Sequence, residues 1–174
     1  RCVEETAMGV YGESKFAGEK AAQQAQRHLI VRTAWVFSEY GNNFLKTMIR
    51  LGRERDSLSV VNDQVGTPTY AGDLAGALVE LAELQPANGV YHFKGGAACS
   101  WFEFAEAIFG VCSELSESFV SPEVSPIPTS EFPTPAQRPA YSVLDGSKLA
   151  AARVGSGDWR AALVGVCRKV LSGI

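Results

Sequence analysis

Val10-Tyr11-Gly12-Glu13-Ser14-Lys15-Phe16-Ala17-Gly18-Glu19-Lys20 sets a phenol and an ammonium four residues apart at the start of a helical pattern. Four residues is about one helical turn, so Tyr11 and Lys15 share a face. The pattern runs to about Gln26 and is followed by His28-Leu29-Ile30-Val31-Arg32-Thr33-Ala34-Trp35-Val36-Phe37, nearly continuous apolar residues rich in β-branched and aromatic types. A run of that kind predicts a strand buried on both faces of a parallel sheet. Helix followed by buried strand is half of a βαβ repeat, which places the chain in the α/β class.

The same stretch suggests chemistry. A phenol is a poor acid or base at neutrality, and an ammonium beside it stabilises the phenolate form. Such a pair suits proton donation to a carbonyl oxygen. The competing reading is a solvated helix face. The small residues Ala17, Gly18, Ala21 and Ala22 favour close approach to a neighbour or a cofactor.

Downstream, Asn43 is placed to cap a helix over 44–55, where Phe44, Leu45, Met48, Ile49 and Leu51 have helical spacing. A strand is expected over 58–61, a polar loop over 62–69 and a small-residue helix over 70–84. A turn at Asn88-Gly89 leads to a strand over 90–93. Ser100-Trp101-Phe102-Glu103 matches a capping box that opens a helix to about Gly110. Six prolines between 119 and 139 predict an ordered loop with one short edge strand. Two last helices are expected over 147–154 and 158–171, the second capped by Asp158. Residues 1–10 read as a loop.

Composition narrows the function classes. A chain of 174 residues, 46% hydrophobic and 20% charged, can build a real core. No apolar run approaches the roughly 20 residues of a bilayer span, and no signal segment opens the chain, so the default location is cytoplasmic. A net charge of −3 with scattered Lys and Arg argues against a nucleic-acid partner. Cys2, Cys99, Cys112 and Cys167 form no Cys-x-x-Cys pair, and with His28 and His92 alone they make no metal-ligand cluster. The cysteines read as reduced and structural. No glycine-rich phosphate loop of the Gly-x-Gly-x-x-Gly kind is present.

Several stretches, in order and spacing, resemble the dTDP-4-dehydrorhamnose reductases, which are extended short-chain dehydrogenase/reductases. They are Val10-Tyr11-Gly12-x-Ser14-Lys15-x-Ala17-Gly18-Glu19; Arg32 to Phe37; Gly41-Asn42-Asn43-Phe44-x-Lys46-Thr47-Met48; Asp63-Gln64-x-Gly66-x-Pro68-Thr69; and Pro126 to Pro139 with Leu144-Asp145-x-Ser147-Lys148-Leu149. The resemblance covers nearly the whole chain and corresponds to the C-terminal part of such a reductase. It implies a Rossmann-like fold that lacks the N-terminal βαβ units and carries a small α/β substrate-binding region. Residues 1–40 would be the C-terminal part of the dinucleotide-binding domain. Residues 41–174 would be mainly the nucleotide-sugar region, with some elements returning to the Rossmann domain.

The resemblance further implies reduction of the C4 keto group of a dTDP-4-dehydro-L-rhamnose to dTDP-L-rhamnose with NADPH or NADH. Tyr11 would be the general acid and Lys15 its partner, both also touching the cofactor. Trp35 would pack on the sugar, with a core aromatic as the alternative. Asn43 and Gln64 would border the nucleotide-sugar site, with cap and turn roles as alternatives. Arg138 would grip the diphosphate or stand as a surface Arg. Ala34, Phe37 and Tyr141 depart from the family, which commonly has Ser, Tyr and Asn there. The family's Ser or Thr that completes the catalytic trio, and the glycine loop, would belong upstream of residue 1, so the chain is expected to be inactive alone. Homodimers, in some members with a metal ion, are among the family's assemblies, and no ligand set for a metal is legible here. The other readings are a non-catalytic binding or regulatory protein of the same fold, and another nucleotide-sugar reductase or epimerase.

Overall fold

The apolar run over 28–37 forms two strands and not one. In the computed structural model, which describes residues 9–134 and 138–173, β1 (Leu29–Arg32) and β2 (Val36–Phe37) are separated by Trp35 at φ 53. A bulky residue in that left-handed region cannot continue a strand. The loop expected over residues 1–10 lies outside the described residues up to residue 8, as do Cys2 and Pro135-Ala136.

In chain order, α1 (Gly9–Ala22) precedes β1 and β2. There follow α2 (Phe44–Glu54), β3 (Ser57–Val61), β4 (Val65–Gly66), β5 (Thr69–Tyr70), α3 (Ala71–Leu84), β6 (Gly89–His92), β7 (Cys99–Ser100), α4 (Trp101–Leu115), β8 (Glu123–Ile127), α5 (Ser147–Ala151) and α6 (Trp159–Leu171). The strands pair two by two. β1 runs parallel to β6 from Leu29↔Gly89 to Arg32↔His92, β2 to β5, and β3 to β8, while β4 and β7 are antiparallel.

Two hydrophobic clusters result. The smaller one packs Leu29 and Val31 of β1 and Tyr91 of β6 with Phe93 against Ala77 and Leu81 of α3, Leu149 of α5, and Val154. The expected burial of β1 on both faces is not found: all four of its residues are half-buried. Alternation sends Ile30 and Arg32 to the other face. There Arg32 meets Glu19 of α1, a helix that buries none of its own side chains.

The larger cluster gathers α2, α4 and α6 around β3 and β8, with Leu45, Ile49, Phe104, Ile108, Trp159, Leu163 and Val166 at its centre. Each of the three helices starts on a side-chain cap. Asn43 Oδ1 accepts from Lys46 N, Ser100 and Glu103 form the complete capping box, and Asp158 Oδ1 accepts from Arg160 N at 3.0 Å. α4 runs on past Gly110 to Leu115, because Val111, Cys112 and Leu115 prolong its apolar face and offset the roughly 1 kcal/mol a helical glycine costs. α1 stops short of its expected end, at Ala22. β8 tolerates Pro126, in register with Val60, because its other edge has no strand partner among the described residues. Cys99, Cys112 and Cys167 are buried and unbridged, and burial pushes the Cys99 thiol up to about 12. Among the described residues, no helix is long and apolar enough to cross a membrane.

Candidate active site

Tyr11 and Lys15 lie on one exposed face of α1, with Lys15 Nζ 5.4 Å from the centroid of the Tyr11 ring. Tyr11 is 76% exposed. Ser14 Oγ donates to the Tyr11 carbonyl at 2.8 Å, a local bond inside the first turns of the helix. One turn beyond Lys15, Glu19 accepts a two-pronged bond from Arg32, Nε to Oε1 at 2.8 Å and Nη2 to Oε2 at 2.6 Å. The guanidinium holds the Glu19 carboxyl below its usual range. This fork ties α1 to β1. Among the described residues, neither the phenol oxygen nor Nζ has a hydrogen-bond partner, so both are free to meet a ligand. The open face thus presents one proton donor beside one cation.

The four residues read as substrate-binding sit on adjoining loops. Trp35 stacks on Trp101 with ring centroids 3.5 Å apart and planes at 9°, and Phe44, next to Asn43, packs on Trp101 at 4.6 Å. Gly66, two residues after Gln64, lies against the Trp35 indole: a Cβ there would come within 2.6 Å of Nε1 and Cζ2. Val65 accepts from Ser142 N and donates to the Ala140 carbonyl, both at 2.8 Å, which brings the segment after Arg138 to the same place. Arg138 itself is exposed.

Asn43 and Gln64 are engaged within the chain. Besides capping α2, Asn43 donates Nδ2 to the Ser38 and Tyr40 carbonyls at 2.8 and 3.3 Å. Gln64 is 7% exposed and donates Nε2 to Thr129 Oγ1 at 3.0 Å. Thr129 in turn donates Oγ1 and N to the Asp63 carboxylate at 2.6 and 2.9 Å, and these bonds hold that carboxyl below its ordinary value. The Asp63-Gln64 loop is thereby latched to the proline-rich segment. The roles these side chains display are structural, and a ligand would share or displace their bonds.

A third feature was not legible in the sequence. Glu39 is 3% exposed, and its Oε1 accepts from Lys169 Nζ of α6 while its backbone carbonyl accepts from Lys46 Nζ at 3.1 Å. The Lys169 bond is the largest influence holding the Glu39 carboxyl low. Oε2 has no partner among the described residues. Burial first, and the Glu39 charge second, push the Tyr70 phenol up. Lys169 is 130 positions away in sequence, and no local spacing links the two. Trp101 was legible only as part of a capping box, and its stacking on Trp35 had no sequence signal. A concavity of about 670 Å³ lined by Tyr70, Asp73, Gly157 and Asp158 contains none of the residues read for chemistry. No group of three or more His, Cys, Asp or Glu able to hold a metal ion is found among the described residues.

The sequence profile of the RmlD substrate-binding domain matches residues 3–172. The chain belongs to the RmlD substrate-binding-domain family. A dTDP-4-dehydrorhamnose reductase of Aggregatibacter actinomycetemcomitans is 45% identical over 163 residues, 88% of this chain and 55% of that protein. Among solved structures, a dTDP-4-dehydrorhamnose reductase of Bacillus anthracis in complex with NADP superposes with a TM-score of 0.83 at 39% identity, covering 91% of this chain and 55% of that one. The orthologue from Clostridium acetobutylicum gives 0.84 at 38% over the same shares. The chain thus spans about half the length of the curated relatives it matches. Its RmlD-type fold is that of extended short-chain dehydrogenase/reductases, in agreement with the α/β reading of the helix and strand at its start.

Proposed function

We propose that the chain supplies the proton donor and the nucleotide-sugar side of a cytoplasmic NAD(P)H-dependent dTDP-4-dehydrorhamnose reductase. The observation that carries this reading is the free Tyr11–Lys15 pair on the open face of α1, in a chain of the RmlD family. A bound NADH or NADPH would supply the hydride for C4 of the keto sugar. Tyr11 protonates the oxygen of the carbonyl being reduced, and Lys15 contributes positive charge beside the phenol and a donor for the ribose hydroxyls. The loops around Trp35, Asn43, Gln64 and Arg138 form the sugar-nucleotide wall, with Arg138 exposed and available to a diphosphate. Residues 1–40, together with β6, α3 and α5, belong to the dinucleotide side; the smaller hydrophobic cluster, which joins β1 to those elements, supports that division.

Replacement of Tyr11 by Phe tests the proton-donor role, since it keeps the ring and removes the hydroxyl. In the protein joined to a dinucleotide-binding half, Tyr11→Phe lowers kcat for keto-sugar reduction by about 10²-fold or more and leaves the Kd for NADPH within about twofold. Unchanged kcat would remove Tyr11 from the chemistry and favour a binding or regulatory role for the fold.

A further inference from the structure

Trp35 is held by partners that the sugar-packing role alone does not call for. Its backbone stands at φ 53, a conformation that is strained for a non-glycine residue and persists only where the surroundings enforce it. The Thr69 amide donates to the Trp35 carbonyl at 3.0 Å, and Thr33 Oγ1 donates to Thr69 Oγ1 at 3.2 Å, so the turn is pinned to β5 on both sides of residue 34. The side chain is pinned as well. Trp101 stacks on the indole, the Gly66 backbone lies against it where any Cβ would collide, and Phe44 backs Trp101 at 4.6 Å with the rings tilted by 44°. Nε1 of Trp35 carries no hydrogen bond among the described residues, although a half-buried indole N–H ordinarily finds a partner.

We propose that Trp101 is a positioning residue for substrate recognition: with Gly66 it clamps the Trp35 indole in one orientation, so that Trp35 meets the sugar with a fixed edge carrying a free Nε1–H donor. This rests on the reading of Trp35 as part of the nucleotide-sugar wall. The ligand chemistry it selects is a hydroxyl or ring oxygen placed to accept from Nε1. A swinging indole would lose that selection, because misplacement by about 1 Å costs as much as 10²-fold in rate.

The test compares Trp101→Leu and Trp101→Phe with the unmodified protein, each joined to a dinucleotide-binding half. Two indoles stacked 3.5 Å apart couple excitonically, with a couplet in far-UV circular dichroism when their long axes are twisted relative to each other within the stack. The couplet is expected in the unmodified protein and in Trp159→Phe, and is lost in Trp35→Phe and in both Trp101 variants. A Trp35 Nε1–H as ordered in Trp101→Leu as in the unmodified protein, by NMR relaxation, or a couplet that survives in Trp101→Leu, overturns the clamp whether or not the protein turns over substrate. In kinetics, Trp101→Leu lowers kcat/KM for the keto sugar at least about tenfold and leaves KM for NADPH unchanged, while Trp101→Phe, which keeps an aromatic plate, recovers most of the loss. A folded Trp101→Leu protein with unchanged kcat/KM overturns the positioning role while leaving the reductase reading intact. An unmodified protein that shows the couplet and no turnover overturns the reductase reading, and with it the substrate role of the clamp.

Discussion

Glu39 shows what a single buried charge demands of its surroundings. A carboxylate 3% exposed is tolerable because Lys169 reaches it from the far end of the chain, and its second oxygen has no partner among the described residues. The native carboxyl is held low by that bond, so its contribution to stability is fully present above the unfolded carboxylate value and is lost as pH falls through the lower native one. The Lys169 ammonium is raised by the same contact, so its contribution is present at neutral pH and lost only as pH rises through the native ammonium value. Lys169→Met therefore lowers the midpoint of thermal unfolding by several degrees at pH 7, and the gap to the unmodified protein narrows once pH falls below the carboxylate range. Thermal melts at pH 7 and pH 3 check this; an equal gap at both would show that the pair contributes through packing and not charge. The pair is not legible in the sequence, because 130 positions separate its members and no local spacing links them.

Among the elements, helices were the more legible. Asn43, Ser100 with Glu103, and Asp158 each announce a helix start by side-chain chemistry that acts over three residues, and all three caps form. The run over 28–37 reads as a single strand because hydrophobicity reports burial and not backbone direction; the left-handed turn at Trp35 is imposed by β5, Gly66 and Trp101, all distant in sequence. α1 is the opposite case, a helix legible from its pattern that buries none of its side chains. Its described tie to β1 is the Glu19–Arg32 fork. In the 174-residue chain, the amides of α1 exchange with solvent at least about a hundredfold faster than those of α4 and α6, since local opening there exposes almost no apolar surface. Hydrogen-exchange mass spectrometry reads this directly. Protection of α1 equal to that of α4 would mean that the helix is anchored by more than the fork.

For the whole molecule, two clusters of unequal size meet different needs. The larger one joins three capped helices to β3 and β8 and carries the aromatic wall, while the smaller one supports β1 and β6, whose first strand is half-buried along its length. The family and the α/β class were legible because motif residues such as Tyr11, Lys15, Asn43 and Gln64 lie at fixed local spacings. The site's internal bonds were not, because Gln64 to Thr129 and Trp35 to Trp101 each span more than sixty positions. The proposed proton donor and sugar wall act on a keto sugar only beside a bound dinucleotide. NADPH oxidation with the dTDP-keto-sugar should be followed for the 174-residue chain alone and for the same chain joined to a dinucleotide-binding half. Turnover is expected in the joined protein and none in the chain alone. Turnover by the 174 residues alone, or none by the joined protein, would contradict this reading.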